Sequence, residues 1–406
     1  MKILIVTQYF WPENFKINDL CEGLVERGHE VTVYTGLPNY PDGEFFKGYS
    51  FFKGPFREHY GKIKIIRCPL IPRGKNKSLR LLFNYLSFCI WATMLAPFLV
   101  RGKVDKIFIF EPSPITVAVP AIVLKYLKRA PIFFWVQDLW PESLVATNTI
   151  KNKNVLDLVS SFVKILYKHS DKILVTSRGF IPRVKALGGK DHQIIYFPQW
   201  AEKIFLKDPD QSFNDKRIPS EGFKIMFAGN IGSSQDFETL VKAASLLKDQ
   251  SNIYFLILGD GLMRKWAEDE VKKIGIDENF IFLGKKPLET MPDYYAKADV
   301  MLMSLSGSDL FSITIPAKLQ PYLASTKPIL ASMNGEGAQI VVDAKAGFAC
   351  SAGNPELLAK TIKEMSQLSK EVLNQMGQNA LKCYQEQFDR EKLISFLEDE
   401  FKKTQL

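Results

Sequence analysis

"KILIVTQYFWPENFKINDLCEGLVERGHEVTVYTG" occupies residues 2–36, and its reading decides the fold. "KILIVT" (2–7) is a short apolar run, the mark of a strand buried on both faces. Ile17, Leu20, Cys21, Leu24 and Val25 then recur at helical spacing, and Gly28 stands where a helix stop is expected. "EVTVYT" (30–35) is the next strand. Strand, helix and strand in this order make a βαβ unit, which implies a parallel sheet with helices on its faces.

The alternation continues through "KIKIIRC" (62–68), "KIFIF" (106–110), "PIFFWV" (131–136), "KILVTS" (172–177) and "QIIYF" (193–197). It breaks between Gln199 and Gly222, a polar stretch with two prolines and no period, which reads as a domain linker. A second series follows: "KIMFAGN" (224–230), "IYFLILGDG" (253–261), "FIFLG" (280–284), "VMLMSL" (300–305) and "PILAS" (328–332). Helices are expected near 355–367 and 389–405. The fold class is therefore α/β, with two Rossmann-like, doubly wound parallel-sheet domains expected to face one another across a cleft. Ligands in such sheets sit beyond the carboxyl ends of the strands.

Composition narrows the partners. Fifty-three Lys and Arg against 44 Asp and Glu leave a net charge of +9, which favours anionic ligands. The lysines form no run interleaved with aromatics, so no nucleic-acid partner is expected. Five scattered cysteines without a C-x-x-C pair read as reduced thiols of a cytoplasmic protein, and "KILIV" reads as a strand rather than a leader. The four histidines are dispersed, so no metal is expected. G-x-G-x-x-G, Walker, H-E-x-x-H and G-x-S-x-G patterns are absent. Asp208 and Asp210 form a D-x-D string, but in the linker, where a solvated turn is the simpler reading.

Four stretches carry candidate chemistry. In "PIFFWVQDLWPESL" (131–144) a strand runs into Gln137, Asp138, Trp140 and Glu142. Asp138 either caps a turn before a helix opened by Pro141 or faces a ligand at the strand's carboxyl end. "FAGNIGSSQDFETL" (227–240) ends a strand in Gly229 and passes Gly232, Ser233 and Ser234 before a helix. It is either a plain βα turn with serine caps or a phosphate cradle. In "FSITIPAKLQPYLASTKPILAS" (311–332), Lys318 falls in a first helical turn, where a cation is unfavourable unless an anion binds beside it. "LRLLFNYLSFCIWATMLAPFLV" (79–100) is long enough to cross a bilayer and is flanked by Arg73, Lys75, Lys77, Arg80, Arg101 and Lys103. It lies between two strands of one sheet, so it reads as a buried crossover helix or as a face dipping into the membrane interface.

Together these pieces resemble the family 4 retaining glycosyltransferases of the GT-B fold, over essentially the whole chain. The resemblance rests on "RGHEVTVYTG" (27–36), "FAGNIG…FETLVKA", "LILGDG…FIFLGKKP…MPDYYAKADVMLMSL" and "IPAKLQPYLASTKPILAS". "QYFWPENF", "GLPNYPDG" and "QDLWPESL" are similar to the bacterial polysaccharide branch that transfers N-acetylated amino sugars, including the N-acetyl-fucosamine type.

That resemblance implies an acceptor-side domain over 1–200, a donor-binding domain over 201–385, and a C-terminal helix over 386–406 packing back on the first domain. It implies a nucleotide-diphosphate sugar donor, with uridine as the base, and a lipid-linked oligosaccharide acceptor. Peripheral contact with an anionic membrane, on the inner face of the plasma membrane, goes with it. No cofactor and no metal are expected; positive groups and backbone amides would stabilise the departing diphosphate. Attack on the face the leaving group vacates would retain configuration, a phosphate oxygen helping to take the acceptor proton.

Asp138 carries over as the catalytic candidate. Asn14, Gln137 and Glu142 carry over on the acceptor side, and Gly229, Asn230, Gly232, Gln235, Thr314, Lys318, Gln320 and Tyr322 on the donor side. The chain departs from the family pattern in several places. Ile313 and Pro321 replace the two donor-loop glutamates, so Gln320 or Tyr322 is left to contact ribose or sugar. Asn230 and Gln235 stand near the usual arginine and lysine, leaving Lys318 as the leading cation, and Gln137 replaces a histidine. These losses motivate an alternative, an inactive sugar-nucleotide-binding or scaffold subunit; a sugar-nucleotide epimerase shares the two-domain plan.

Overall fold

A computed structural model describes residues 1–74, 78–146 and 150–405. The chain divides into two compact units: Met1–Pro198 with the segment from Glu391 on, and Gln199–Arg390. Lys75 and Lys77 lie outside the described residues.

Unit 1 is built on a sheet of β1 (Lys2–Val6), β2 (Glu30–Gly36), β3 (Arg57–Tyr60), β4 (Ile63–Cys68), β5 (Lys106–Glu111), β6 (Ile132–Val136), β7 (Lys172–Val175) and β8 (Ile194–Tyr196). Their spatial order is β3-β4-β2-β1-β5-β6-β7-β8, parallel throughout except for β3 against β4. Ile3 pairs with Val31 on one side and Lys106 on the other. The chain therefore winds outward from β1 to β2, then returns to β5. That reversal leaves a crevice at the carboxyl ends of β1 and β5, where such sheets take their ligands. Helices α1 (Lys16–Glu26), α2 (Ser78–Leu99), α3 (Ala118–Lys128), α4 (Glu142–Ala146), α5 (Lys153–His169) and α6 (Phe180–Ala186) complete this part of the chain.

Unit 2 contains β9 (Phe223–Ala228), β10 (Ile253–Leu258), β11 (Phe280–Gly284), β12 (Val300–Ser304), β13 (Ile329–Ser332) and β14 (Gly347–Cys350), in the order β11-β10-β9-β12-β13-β14 and all parallel. Its reversal lies between β9 and β12. Helices α7 (Phe237–Leu246), α8 (Arg264–Ile274), α9 (Met291–Ala296), α10 (Asp309–Ser312), α11 (Leu319–Ala324), α12 (Glu336–Asp343), α13 (Pro355–Ser366) and α14 (Lys370–Cys383) belong to it. Phe227, Leu240, Ile257 and Leu302 sit in one continuous apolar core.

The last helix, α15 (Arg390–Lys403), seats its residues from Glu391 on in unit 1. Phe401 meets Phe133 edge-on at 4.7 Å and Phe108 at 6.3 Å. Arg27 bonds Ser395 at 2.7 Å and Glu398 at 2.8 Å, and His29 contacts Glu398 at 2.6 Å.

The two doubly wound parallel sheets expected from the apolar runs are present, with two strands the runs did not reveal. β3 reads "REHY" and is half-exposed at a sheet edge; β14 is only four residues long and lies at an edge of the other sheet. Neither needs a long hydrophobic run, because an edge strand has only one neighbour.

α2 is a crossover helix with an unusual outer surface. Asn84, Phe88, Ala92 and Ala96 recur every fourth residue and are buried, and the Tyr34 hydroxyl donates to Ala92 O at 2.7 Å. Leu82, Phe83, Leu86, Ile90, Met94 and Phe98 stay exposed on the rest of the helix. Its length and composition would suffice to cross a bilayer, yet strands β4 and β5 on either side of it belong to one sheet.

Candidate active-site residues in the two units

In unit 1 the carboxyl ends of β5 and β6 bring several polar groups together. β5 ends in Glu111, whose side chain is fully buried. Gln137 N donates to Glu111 O at 3.2 Å, which locks the two strand ends side by side. Ser113 Oγ donates to Asp138 Oδ2 at 2.7 Å, and Trp140 Nε1 donates to the same Ser113 Oγ at 3.1 Å. Ser113 holds a left-handed backbone, φ 86, a conformation unusual for a residue with a Cβ. The aspartate is thus aimed by a serine that the indole holds in turn.

The electrostatics split the two carboxyls. Burial raises the Asp138 pKa to about 6, opposed by the Ser113 hydroxyl. Burial pushes Glu111 up further, the Asp138 charge adds to this, and the amides of Asp138, Ser113 and Gln137 pull it down. Those amides lie near the carboxyl without reaching hydrogen-bond geometry, since both Glu111 oxygens are sealed and unbonded. Burial thus favours the neutral form of Glu111 more strongly than that of Asp138, a separation typical of sites that divide acid and base roles. Glu142 opens α4 with Oε2 buried and unbonded, and the buried Tyr167 hydroxyl lies within electrostatic reach of Glu111 and Glu142.

At the carboxyl end of β1, Glu13 is a buried tie. Its Oε1 accepts from the amides of Asn39 and Tyr40, both at 2.8 Å, and its Oε2 from Phe10 at 3.2 Å. Gln8 Nε2 donates to Asn84 Oδ1 at 2.7 Å, joining this loop to α2. Asn14 is exposed on the same loop. Gln137, Asp138 and Glu142 thus stand at one strand end, whereas Asn14 is placed on the loop after β1.

In unit 2, β9 runs into Gly229 at φ 141, and a Cβ there would lie 3.3 Å from Lys318 Nζ. The neighbouring β10 loop comes closer still: a Cβ on Gly259 would strike Gly229 O at 1.9 Å. Gly232 N donates to Gln235 Oε1 at 3.1 Å, and Asn230 Nδ2 lies 3.4 Å from the same oxygen. Ser306 N donates to Ser234 O at 2.9 Å, tying the loop after β12 to the glycine turn.

Lys318 is the feature of this end. Its Nζ is sealed from solvent, has no hydrogen-bond partner among the described residues, and sits 3.7 Å above the centre of the Phe227 ring. Burial lowers its pKa to about 7. Gln320 is buried with Oε1 unbonded, and Thr314 Oγ1 donates to Leu310 O at 2.7 Å. Tyr322 has a different position from the one its sequence context suggested. Its hydroxyl accepts from Ala228 N at 2.8 Å and donates to Ala228 O at 3.0 Å, and the residue is wholly buried. Both hydroxyl functions are used up in holding the end of β9, so Tyr322 supports the glycine turn rather than touching a ligand.

Glu111, Ser113, Glu13 and Lys318's lack of a counter-ion are what sequence reasoning missed. One signal was available: "KIFIFE" ends an apolar strand in a carboxylate just as "FFWVQD" does. Among the described residues no group of three or more His, Cys, Asp or Glu is placed to hold a metal ion.

Two nucleotide-fold sheets, each with polar groups gathered at its point of reversal, are the construction of GT-B transferases, and the chain is a glycosyltransferase of that fold. Residues 15–200 match the glycosyl transferase 4-like domain, and residues 208–382 match the glycosyl transferases group 1. Among curated relatives, WcaI of Escherichia coli K12, named for a glycosyl transferase role in colanic acid biosynthesis, is 25% identical over 80% of this chain and 81% of its own. WbjE of Pseudomonas aeruginosa, named as a glycosyltransferase, is 26% identical over 81% of this chain and 83% of its own. Anabaena HepE, solved with UDP-glucose, superposes with a TM-score of 0.69 at 15% identity over the full length of both chains. WaaG, titled a glycosyltransferase involved in lipopolysaccharide biosynthesis, superposes with a TM-score of 0.68 at 14% identity, again over both full lengths.

Proposed function

We propose that this glycosyltransferase moves an N-acetylated amino sugar from a uridine diphosphate donor to a lipid-linked saccharide, with retention of configuration, in the assembly of a bacterial surface polysaccharide. The observation that carries the donor half is Lys318: a side-chain nitrogen sealed beneath a glycine turn with no counter-ion among the described residues. Leaving a cation so placed is unfavourable, and a bound diphosphate is the partner that would offset the cost. The names of WcaI and WaaG and the UDP-glucose of HepE support the substrate classes.

In this reading unit 2 supplies the donor machinery. Lys318 and the amides of the glycine turn take the charge that develops as the sugar–phosphate bond breaks. Unit 1 supplies the acceptor side. Asp138, ionised at neutral pH and fixed by Ser113, orients the sugar or acceptor hydroxyl, while Gln137, Glu142 and Asn14 offer further polar contacts. The outward apolar face of α2, between Arg80 and Arg101, suits a cytoplasmic protein resting on the inner face of the plasma membrane, where a lipid-linked acceptor is found. The test is transfer by purified protein from a panel of UDP-sugars, with and without N-acetyl groups, to a lipid-linked saccharide. Turnover confined to sugars without the acetamido group would refute the donor assignment, and turnover only with phosphate-free, lipid-free saccharides would refute the acceptor.

A further inference from the structure

A cation and a cage of aromatic rings stand beside the Asp138 end of unit 1, and no step above uses them. The Arg73 guanidinium lies 4.9 Å from the centre of the Tyr40 ring, and its backbone N donates to Asn39 Oδ1 at 3.0 Å. Among the described residues Arg73 makes no ion pair. Tyr9 stacks on Phe15 at 5.1 Å, and both rings meet Tyr40, at 5.8 and 5.2 Å. Tyr9 is only 3% exposed, and among the described residues its hydroxyl has no partner in hydrogen-bond geometry, although the Tyr85 hydroxyl stands near it. Tyr85, on α2, lies within electrostatic reach of Tyr9 and Arg73 on one side and of Asp138 and Glu111 on the other. Arg73 and Tyr9 share the Tyr40 ring, and Gln8, next to Tyr9, bonds Asn84, next to Tyr85, at 2.7 Å, so the loop after β1 meets the start of α2 here. Leu82, Phe83 and Leu86, soon after Arg73 in the chain, begin the exposed apolar face of α2. No Asp or Glu occurs from His59 to Val104.

We propose that Arg73, with the Tyr9 and Tyr85 hydroxyls, binds the diphosphate of a lipid-linked acceptor, its apolar tail running along the outer face of α2 and its saccharide reaching toward Asp138. This rests on the transferase reading of that end of the unit. The chemistry fits in three ways. An unpaired guanidinium stacked on a ring is pre-organised for a two-pronged phosphate contact. The Tyr9 hydroxyl, close to that of Tyr85 but short of hydrogen-bond geometry, gains a well-formed bond when an anion accepts from it. A tail of isoprenoid type finds a matching surface on α2, whose Arg80 side chain lies against Gly74, the residue after Arg73.

The test uses the full chain and two probes, farnesyl diphosphate and farnesol, followed by tryptophan fluorescence. Farnesyl diphosphate should bind the wild type, and Arg73→Ala should weaken it about tenfold to a hundredfold, the span of a charge-assisted phosphate contact. Arg73→Lys should recover part of the loss. UDP affinity, read separately, should stay the same in all three proteins. Vesicles of phosphatidylcholine with phosphatidylglycerol, compared with phosphatidylcholine alone, separate a lipid headgroup from an acceptor diphosphate. The proposal expects Arg73→Ala to keep most of its vesicle binding. Unchanged farnesyl diphosphate affinity in Arg73→Ala, equal binding of farnesol by the wild type, or a vesicle loss as large as the diphosphate loss would each overturn it. Failure of the transferase reading would show instead as wild-type protein that binds these probes but transfers no sugar.

Discussion

Replacing Lys318 by Met should make the protein more stable and worse at holding its donor. The side chains are close in length, and methionine needs no hydrogen bond in the pocket under Gly229. In the free protein, burial depresses the lysine from its ordinary 10.5 to about 7. That depression corresponds to about 5 kcal/mol of unfavourable charging, an upper figure because local opening relieves part of it. The unfolded chain holds this proton more tightly than the folded one, so the group's contribution to stability is greatest above the ordinary lysine value and is lost as pH falls toward 7. Lys318→Met should therefore gain most, relative to wild type, at pH 7 and below, read as the urea midpoint across a pH series. Binding moves the other way. A charge-assisted bond to phosphate contributes about 1.5–3 kcal/mol, so UDP affinity should fall about tenfold to a hundredfold. Above pH 7 the wild type must take up a proton as UDP arrives. Calorimetry in two buffers of different ionisation enthalpy should show that uptake, and Lys318→Met should abolish it. Equal UDP affinity in the two proteins, or a wild-type heat independent of buffer, would refute the assignment of Lys318 to the diphosphate.

Two further outcomes follow from the same geometry. Asp138→Asn should lower turnover about a hundredfold or more, in keeping with loss of a positioned carboxylate, while the far-ultraviolet circular dichroism stays unchanged; the wild-type rate should fall on the acid side of a pKa near 6, the value burial gives Asp138, and a wild-type profile flat through that region would speak against the role. Tyr322→Phe strips both bonds from Ala228 and leaves a buried amide unpaired, so it should cost about 1–3 kcal/mol in urea unfolding, with UDP affinity reduced because the glycine turn loses its support; a stability equal to wild type would show that the hydroxyl is dispensable.

Most of the architecture could be read from the chain because a strand buried on both faces must be apolar nearly throughout. "KIFIF" and "PIFFWV" state their environment in their composition. β3 and β14 could not be read in this way, since edge strands carry no such requirement. The site was legible in part. A strand running into "QD" marked Asp138, because ligands gather at strand ends. Glu111 escaped although it sits in the same kind of place, for Asp138 becomes its neighbour only when β5 and β6 pair. Tyr322 shows the opposite failure: its sequence context placed it beside a ligand, but a hydroxyl that reaches back to Ala228 has nothing left to offer. Whether a polar atom is satisfied depends on residues far away in the chain, which no local pattern records.

The route by which unit 1 closes has a bearing on its biogenesis. Phe401 fills the space against Phe133 and Phe108, and Glu398 receives Arg27 and His29. All of these partners in the first half emerge from the ribosome before any of unit 2 does, and they wait for α15 through the whole of its synthesis. During translation the first sheet is thus a half-finished body with an open aromatic socket, and chaperone dependence or premature termination should register there first, even though the missing residues are encoded after the whole of unit 2.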